Sequence, residues 1–350
     1  MISPVVDLFA QERRHTILMT FASPLPAGTP FGGITAIDHL LPLPANTDAN
    51  AESFISLVQP AAAIFTTPFH HSNYLRQLRK RSIPTFLMAG KIRRTFPFFK
   101  RYRAGGRNTL KAFTHIFVFD KETEAYLNQW EFDNVTADEH LPLSSIRPKD
   151  NAFYHPAIIE KFVGDEKFIF IGGNIDTGKD LEFVAHLANT NPALKCLLAP
   201  RLISKKHLRK IKSELKGVSL LYSECDANTD FSKVQNLVID FCGSLSHIYR
   251  YGSCAYLGED SHAIWHITEA TACGLPTSFG PRMKHRILPD RLIRLGISQT
   301  VKTPEDLSKW VKHLESNPTS EQRINSAATE FVGKGIESAH RIYAHINSYL

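Results

Sequence analysis

From one end of this chain to the other, short apolar runs alternate with segments whose apolar residues recur at helical spacing. That alternation constrains the fold more than any other feature, because strand and helix in turn build parallel sheets covered on both faces. In the first half the strand candidates are HTILMTF (15–21), AIDHLLPL (36–43), AAAIFTT (61–67), PTFLMAG (84–90) and THIFVFD (114–120). Between and after them ANAESFISLVQ, HSNYLRQLRKRS, FFKRYRAGGRNTLKAF and KETEAYLNQWEF read as helices. The second half repeats the scheme with strands FIFIGG (168–173), LKCLLAP (194–200), VSLLY (218–222), NLVIDF (236–241), CAYLG (254–258) and PTSFG (276–280). Its helices are GKDLEFVAHLAN, SKKHLRKIKSEL, SLSHIYRYG, HITEATACG and PEDLSKWVKHLES.

A chain of 350 residues is long for one core and comfortable for two. The proline-punctuated stretch LPLSSIRPKDNAFYHP (141–156) is the expected hinge. It divides an amino-terminal domain (1–150) from a second domain (151–320), followed by a terminal helical segment (321–350) that Gly333 and Gly335 are expected to break. Doubly wound domains receive ligands at the carboxyl ends of their strands. The pattern alone leaves a glycosyltransferase, a kinase-like enzyme and a binding protein open.

Charge is unevenly placed. Between Glu52 and Asp120 there is no acidic residue, whereas twelve Lys and Arg fall between Arg76 and Lys111. Arg93, Arg94, Lys100, Arg101 and Arg103 are interleaved with Phe96, Phe98, Phe99 and Tyr102. A single-sign field of this kind draws an anionic partner such as nucleic acid, a lipid headgroup or a membrane leaflet, unless it is only a solvated face. The start, MISPVVDLFAQERRH, lacks the apolar run and cleavage site of a signal peptide. No stretch of about 18 apolar residues predicts a transmembrane helix. The five cysteines form no C-x-x-C pair, lie in or beside apolar runs, and read as buried free thiols.

Three motifs bear on chemistry. The loop after FIFIGG, Gly173-Asn174-Ile175-Asp176-Thr177-Gly178-Lys179-Asp180, lacks only the hydroxyl of a P-loop, with Asp180 standing in its place. Amides at Gly172, Gly173 and Asn174, opening a helix, can still receive a phosphate or carboxylate. Glu269, read as three residues into its helix, can accept from two ribose hydroxyls or serve only as a dipole or capping carboxylate. Gly280 and Pro281 close the strand after it. His262 and His266 share a helical face, as metal ligands would, but among sixteen histidines such a pair arises by chance, and no metal is expected.

Taken in order, these strings resemble the Kdo transferase family: ILMTFASP (17–24), the run from LPLPANTDANAESF to AAAIF, NYLRQLRKRSIPTFLMAG (73–90), FPFFKRY, KAFTHIFVFDKETEAYL, NVT, LVIDFCGSLSHIYRYGSCAYLG and EATACGLPTSFGP. The resemblance implies a GT-B fold, two doubly wound Rossmann-like α/β domains facing across a cleft. It implies transfer of 3-deoxy-D-manno-octulosonate from CMP-Kdo, on the second domain, to a lipid A precursor, on the first. No cofactor and no nucleic acid are implied. The protein would work peripherally on the cytoplasmic face of the inner membrane, with the basic aromatic interval against the acceptor.

The chain also departs from the family. Aligning Pro4 and the first strand puts the family's catalytic Glu before Met1. The Glu of its K-Y-E-F-W segment is replaced by Phe69, within Thr67-Pro68-Phe69-His70-His71. The G-D-x-R-F segment corresponds to Glu139-His140-Leu141-Pro142-Leu143, without a match. P-R-H survives as Pro200-Arg201-Leu202, keeping the arginine that the resemblance pairs with the CMP phosphate. H-N-x-x-E reads Trp265-His266-Ile267-Thr268-Glu269, keeping only the glutamate, and the second glycine of a G-G pair is Glu259. No catalytic base is therefore assigned, Asp38 and Glu139 being substitutes without motif support. A catalytically degenerate paralogue that binds a nucleotide or anionic lipid is the alternative. Without the family's first strand, the 15–21 strand loses a neighbour, so that either the true start lies upstream of Met1 or the sheet re-pairs the 15–21 and 61–67 strands directly.

Overall fold

The computed structural model describes residues 3–21, 37–67, 71–89, 109–138, 140, 154–175, 178–241, 245–259, 263–283 and 286–350. It divides into two compact units, Met1–Ser144 with Gly333–Leu350, and Ser145–Val332.

The first unit opens with a helix absent from the sequence reading, α1 (Ser3–Glu12), whose Val5, Val6 and Phe9 are buried. Next come β1 (Leu18–Phe21), β2 (His39–Pro42), α2 (Asp48–Val58), β3 (Ala63–Phe65), α3 (Ser72–Lys80), β4 (Thr85–Ala89), β5 (His115–Val118), α4 (Lys121–Asn128) and β6 (Val135–Ala137). The helix starts are chemically marked. Thr47 accepts from the amide of Asn50 and Asp120 from that of Thr123, each satisfying an amide that the first turn leaves open. Strands β3-β4-β5-β6 form one parallel sheet, and β1-β2 form a separate parallel pair. Of the two alternatives, direct re-pairing of the 15–21 and 61–67 strands is not seen: among the described residues β1 pairs only with β2, and β3 only with β4. Asp38 lies at the amino end of β2, where it accepts from the amide of Ile17 at 2.7 Å. That is the wrong end of the strand for a ligand site.

The second unit runs α5 (Pro156–Val163), β7 (Ile169–Gly173), α6 (Gly178–Thr190), β8 (Lys195–Ala199), α7 (Lys205–Glu214), β9 (Ser219–Leu221), β10 (Asn236–Val238), α8 (Leu245–Ile248), β11 (Cys254–Leu257), α9 (Ala263–Ala272), β12 (Thr277–Phe279), α10 (Ile287–Arg294), β13 (Ser298–Thr300) and α11 (Pro304–Ser316). All its strands are parallel, in the order β13-β12-β11-β7-β8-β10-β9. Phe170, Leu198, Val184, Leu187, Trp310 and Val311 belong to one buried cluster that fastens α6 and α11 to the sheet. Helix α11 starts at a reciprocal capping box, Thr303 with Asp306.

The last helix, α12 (Pro318–Asn347), passes from the second unit into the first and is continuous through Gly333 and Gly335. The break expected at the glycines is absent. Apolar burial on either side, at Ala328 and Phe331 and again at Ala339, Ile342 and Ile346, outweighs the low helix propensity of glycine. The cysteines also differ from expectation. Cys196 and Cys254 are buried free thiols, but Cys225 is half-buried and Cys273 exposed, because Cys273 falls beyond the last turn of α9. Cys242 lies outside the described residues.

Candidate functional site

In the second unit the chain moves from β7 outward through β8, then returns to lay β11, β12 and β13 on the other side of β7. The switch point therefore lies between β7 and β11, the position at which doubly wound sheets receive ligands. Asn174, Gly258, Glu259 and, one strand further, Gly280 and Pro281 stand at these strand ends.

Asn174 is left-handed, with φ of 59°. Its amide donates to the carbonyl of Ala199 at 2.8 Å and its Nδ2 to the carbonyl of Gly258 at 3.3 Å. Its Oδ1 is buried and accepts from no described residue. Gly258 is compelled by this approach, since a side chain there would meet the Asn174 carbonyl oxygen. Gly172 and Gly173 serve packing instead. A Cβ at 172 would lie 2.9 Å from Leu198, and one at 173 would lie 2.8 Å from Leu245 and Leu257.

Asp180, in the first turn of α6, turns to the sheet. The hydroxyl of Tyr256 on β11 donates to its Oδ1 at 2.7 Å. Burial raises the Asp180 pKa, the Tyr256 hydrogen bond opposes that rise, and the nearby Glu259 carboxylate adds to it. Position 180 therefore carries a carboxylate held inward, where a P-loop would offer a hydroxyl to a metal.

Glu259 is nearly buried, its side chain 8% exposed. It accepts from the amide of Arg282 at 2.6 Å, from Nε of Arg282 at 2.8 Å and from the amide of Met283 at 3.1 Å. Gly280 makes room for it, because a Cβ there would come within 2.5 Å of the carboxylate carbon.

Arg201 is exposed just past the end of β8, next to β7 in the sheet. Glu269 is buried on α9, with Oε2 3.4 Å from Nδ1 of His266. That helix starts at Ala263, earlier than the sequence reading places it. Glu269 is thus its seventh residue, beyond the reach of the first-turn amides, and the dipole or capping explanation falls away. The hydroxyl of Tyr249 is buried without a described partner, and the charge of Glu269 adds to the burial that raises its pKa.

The structure thus brings Asn174, Glu259, Gly280 and Pro281 to the carboxyl ends of neighbouring strands, with Arg201 one strand away. It places Gly172 and Gly173 at the carboxyl end of β7, packed against Leu198, Leu245 and Leu257, and Glu269 on the second turn of its helix. Tyr256 and Arg282 were not legible as site residues: the first reads as core within an apolar strand, and the second follows a strand with no motif around it. Arg93, Arg94, Lys100, Arg101, Arg103, Glu139, Phe69 and His262 lie outside the described residues.

Residues 1–139 match the family model described as 3-deoxy-D-manno-octulosonic-acid transferase (kdotransferase). A 3-deoxy-D-manno-octulosonic acid transferase of Chlamydia pneumoniae is 21% identical over 327 residues, which are 88% of this chain and 72% of that protein. The resemblance to the Kdo transferases is therefore borne out. Among solved structures, a putative UDP-N-acetylglucosamine 2-epimerase from Listeria monocytogenes aligns at a TM-score of 0.65 and 14% identity, covering 99% of this chain and 92% of its own. MurG of Acinetobacter baumannii aligns at 0.57 and 10%, covering 99% and 95%. These likenesses show the fold, a two-unit α/β architecture of the GT-B type.

Proposed function

We propose that this chain is a Kdo transferase-like glycosyltransferase that takes 3-deoxy-D-manno-octulosonate from CMP-Kdo and transfers it to a lipid A precursor in lipopolysaccharide biosynthesis. The observation that carries the reading is the match of residues 1–139 to the Kdo transferase family. It is supported by the switch point of the second unit, where α/β sheets hold nucleotides. In this reading the CMP phosphate meets Arg201 and the amides near Asn174, Gly280 and Pro281, while Glu269 reads the ribose. The charge of the basic residues Arg93, Arg94, Lys100, Arg101 and Arg103 attracts the phosphates of the acceptor at the cytoplasmic face of the inner membrane. Among the described residues no helix is long and apolar enough to cross a membrane. An inverting transfer needs a base at the acceptor hydroxyl, and that residue is unassigned.

A second reading, a paralogue that binds a nucleotide or anionic lipid without transfer, is favoured by one observation: the Glu259 carboxylate takes up the Arg282 and Met283 amides that the first reading leaves to the donor. Incubation of the chain with CMP-Kdo and a lipid A precursor, followed by mass spectrometry of the lipid, separates the two. Transfer adds one or more Kdo units to the lipid and releases CMP. An unchanged lipid, with CMP binding retained, establishes the paralogue.

A further inference from the structure

We infer that Glu259 is an internal anion that occupies the amide pocket after β12, so that a phosphate- or carboxylate-bearing ligand must displace it to bind at the switch point. For the identity of the displacing ligand this rests on the donor-site reading; the contact itself does not.

Two consecutive backbone amides, Arg282 and Met283, point at one carboxylate oxygen of Glu259, while Nε of Arg282 meets the other. Successive amides beside a guanidinium are a general receptor for phosphate and carboxylate oxygens. Here the receptor is filled by the chain's own side chain. Gly280 is the accomplice, since any Cβ at that position would collide with the Glu259 carboxylate.

A staple that only held two loops together would not need a charge, and this one is poorly placed for stability. Asp180 lies close enough for the two carboxylates to interact unfavourably, and it too is screened from water. Its charge is answered by the Tyr256 hydroxyl, by the Glu259 amide and by Arg282, the same cation that serves Glu259. Arg282 is 77% exposed, so its guanidinium can serve an incoming anion without being unburied. The arrangement lowers affinity for anions in general and raises selectivity for a ligand with enough other contacts to displace Glu259.

The test titrates inorganic phosphate and CMP separately, by calorimetry, into the full chain and its Glu259→Gln and Glu259→Gly variants. The glutamine keeps the shape and one acceptor oxygen, and it carries the test if the glycine variant does not fold. Removing the charge is expected to tighten both ligands by about tenfold or more, the worth of a freed charge-assisted hydrogen bond. Affinities that are equal in the folded chains, or binding absent from all of them, overturn the inference. If phosphate tightens in the variants but CMP binds no better than phosphate, the internal anion stands and the CMP donor reading fails.

Discussion

Arg341 closes on Asp138 across 203 residues of sequence, donating from Nε to Oδ2 at 3.1 Å and from one terminal nitrogen to Oδ1 at 3.1 Å and Oδ2 at 2.8 Å. One residue is on the helix that ends the chain, the other just past the last strand of the first unit. The Asp138 side chain is 9% exposed, so the fork answers a carboxylate that water hardly reaches. Beside it, Ser338 donates to the carbonyl of His140 at 2.7 Å. The terminal helix is thus tied to the first unit by polar contacts as well as by its apolar side chains.

Arg341→Ala leaves the Asp138 carboxylate without its cation. We expect a loss of about 1–2 kcal/mol in denaturant unfolding, held below the buried-pair range because the arginine is half exposed. Asp138→Asn with Arg341→Ala should cost less than the two single changes added together, which a double-mutant cycle measures. Strict additivity would show that the fork contributes nothing.

Continuity of the last helix through Gly333 has its own consequence. A Cβ at this exposed position meets nothing within 4 Å. Gly333→Ala should therefore raise stability by about 0.5–1 kcal/mol, chiefly by lowering the entropy of the unfolded chain. A fall in stability would indicate the helix break that the sequence alone predicts.

His115 on β5 is held down to about 4 from an ordinary 6.5 by burial and by the neighbouring His345, whose ring centroid is 4.2 Å away. The unfolded chain binds this proton more readily than the folded one. Stability from neutral His115 is therefore full above about pH 6.5 and is lost as pH falls toward 4. Allowing for its partial exposure, the loss is no more than about 2 kcal/mol. Acid unfolding of His115→Gln, compared with the unaltered chain, should lack this component, and identical pH dependences would contradict it.

Asp180 runs the other way. Its pKa is raised, so the stability it contributes is present at low pH and is lost as pH rises through the folded value. Asp180→Asn should be more stable than the unaltered chain at neutral pH, with the difference shrinking toward pH 3. An asparagine variant less stable at pH 7 would mean that the Tyr256 hydrogen bond to the charged carboxylate outweighs its burial.

The long apolar strands and amphipathic helices were legible because a buried strand such as 169–173 and a helix such as 304–316 write their environment into consecutive residues. Strands β6 and β13 were not, since each is three residues long with one buried position. Helix α5 was missed although Ile158, Ile159 and Phe162 are apolar and buried, because it is only eight residues long and begins at Pro156, the last residue of the expected hinge, where proline needs no amide partner. The strand-end glycines, Glu259 and Arg201 could be found from ordered strings. The pairing of Asp180 with Tyr256, and of Glu259 with the amides beyond Gly280, is tertiary and leaves no local mark. The split of the first unit's strands into two sheets likewise depends on pairing that spacing does not encode.

Titration of the chain with CMP, read as thermal stability, tests the central claim most directly, with Arg201→Ala as control in both the unaltered and the Glu259→Gly backgrounds. A ligand that binds only the folded state must raise the melting temperature. The account predicts a rise at millimolar CMP that is larger in Glu259→Gly and is lost when Arg201 is removed. No rise in either background, or a rise indifferent to Arg201, would contradict a CMP-reading donor site in the second unit.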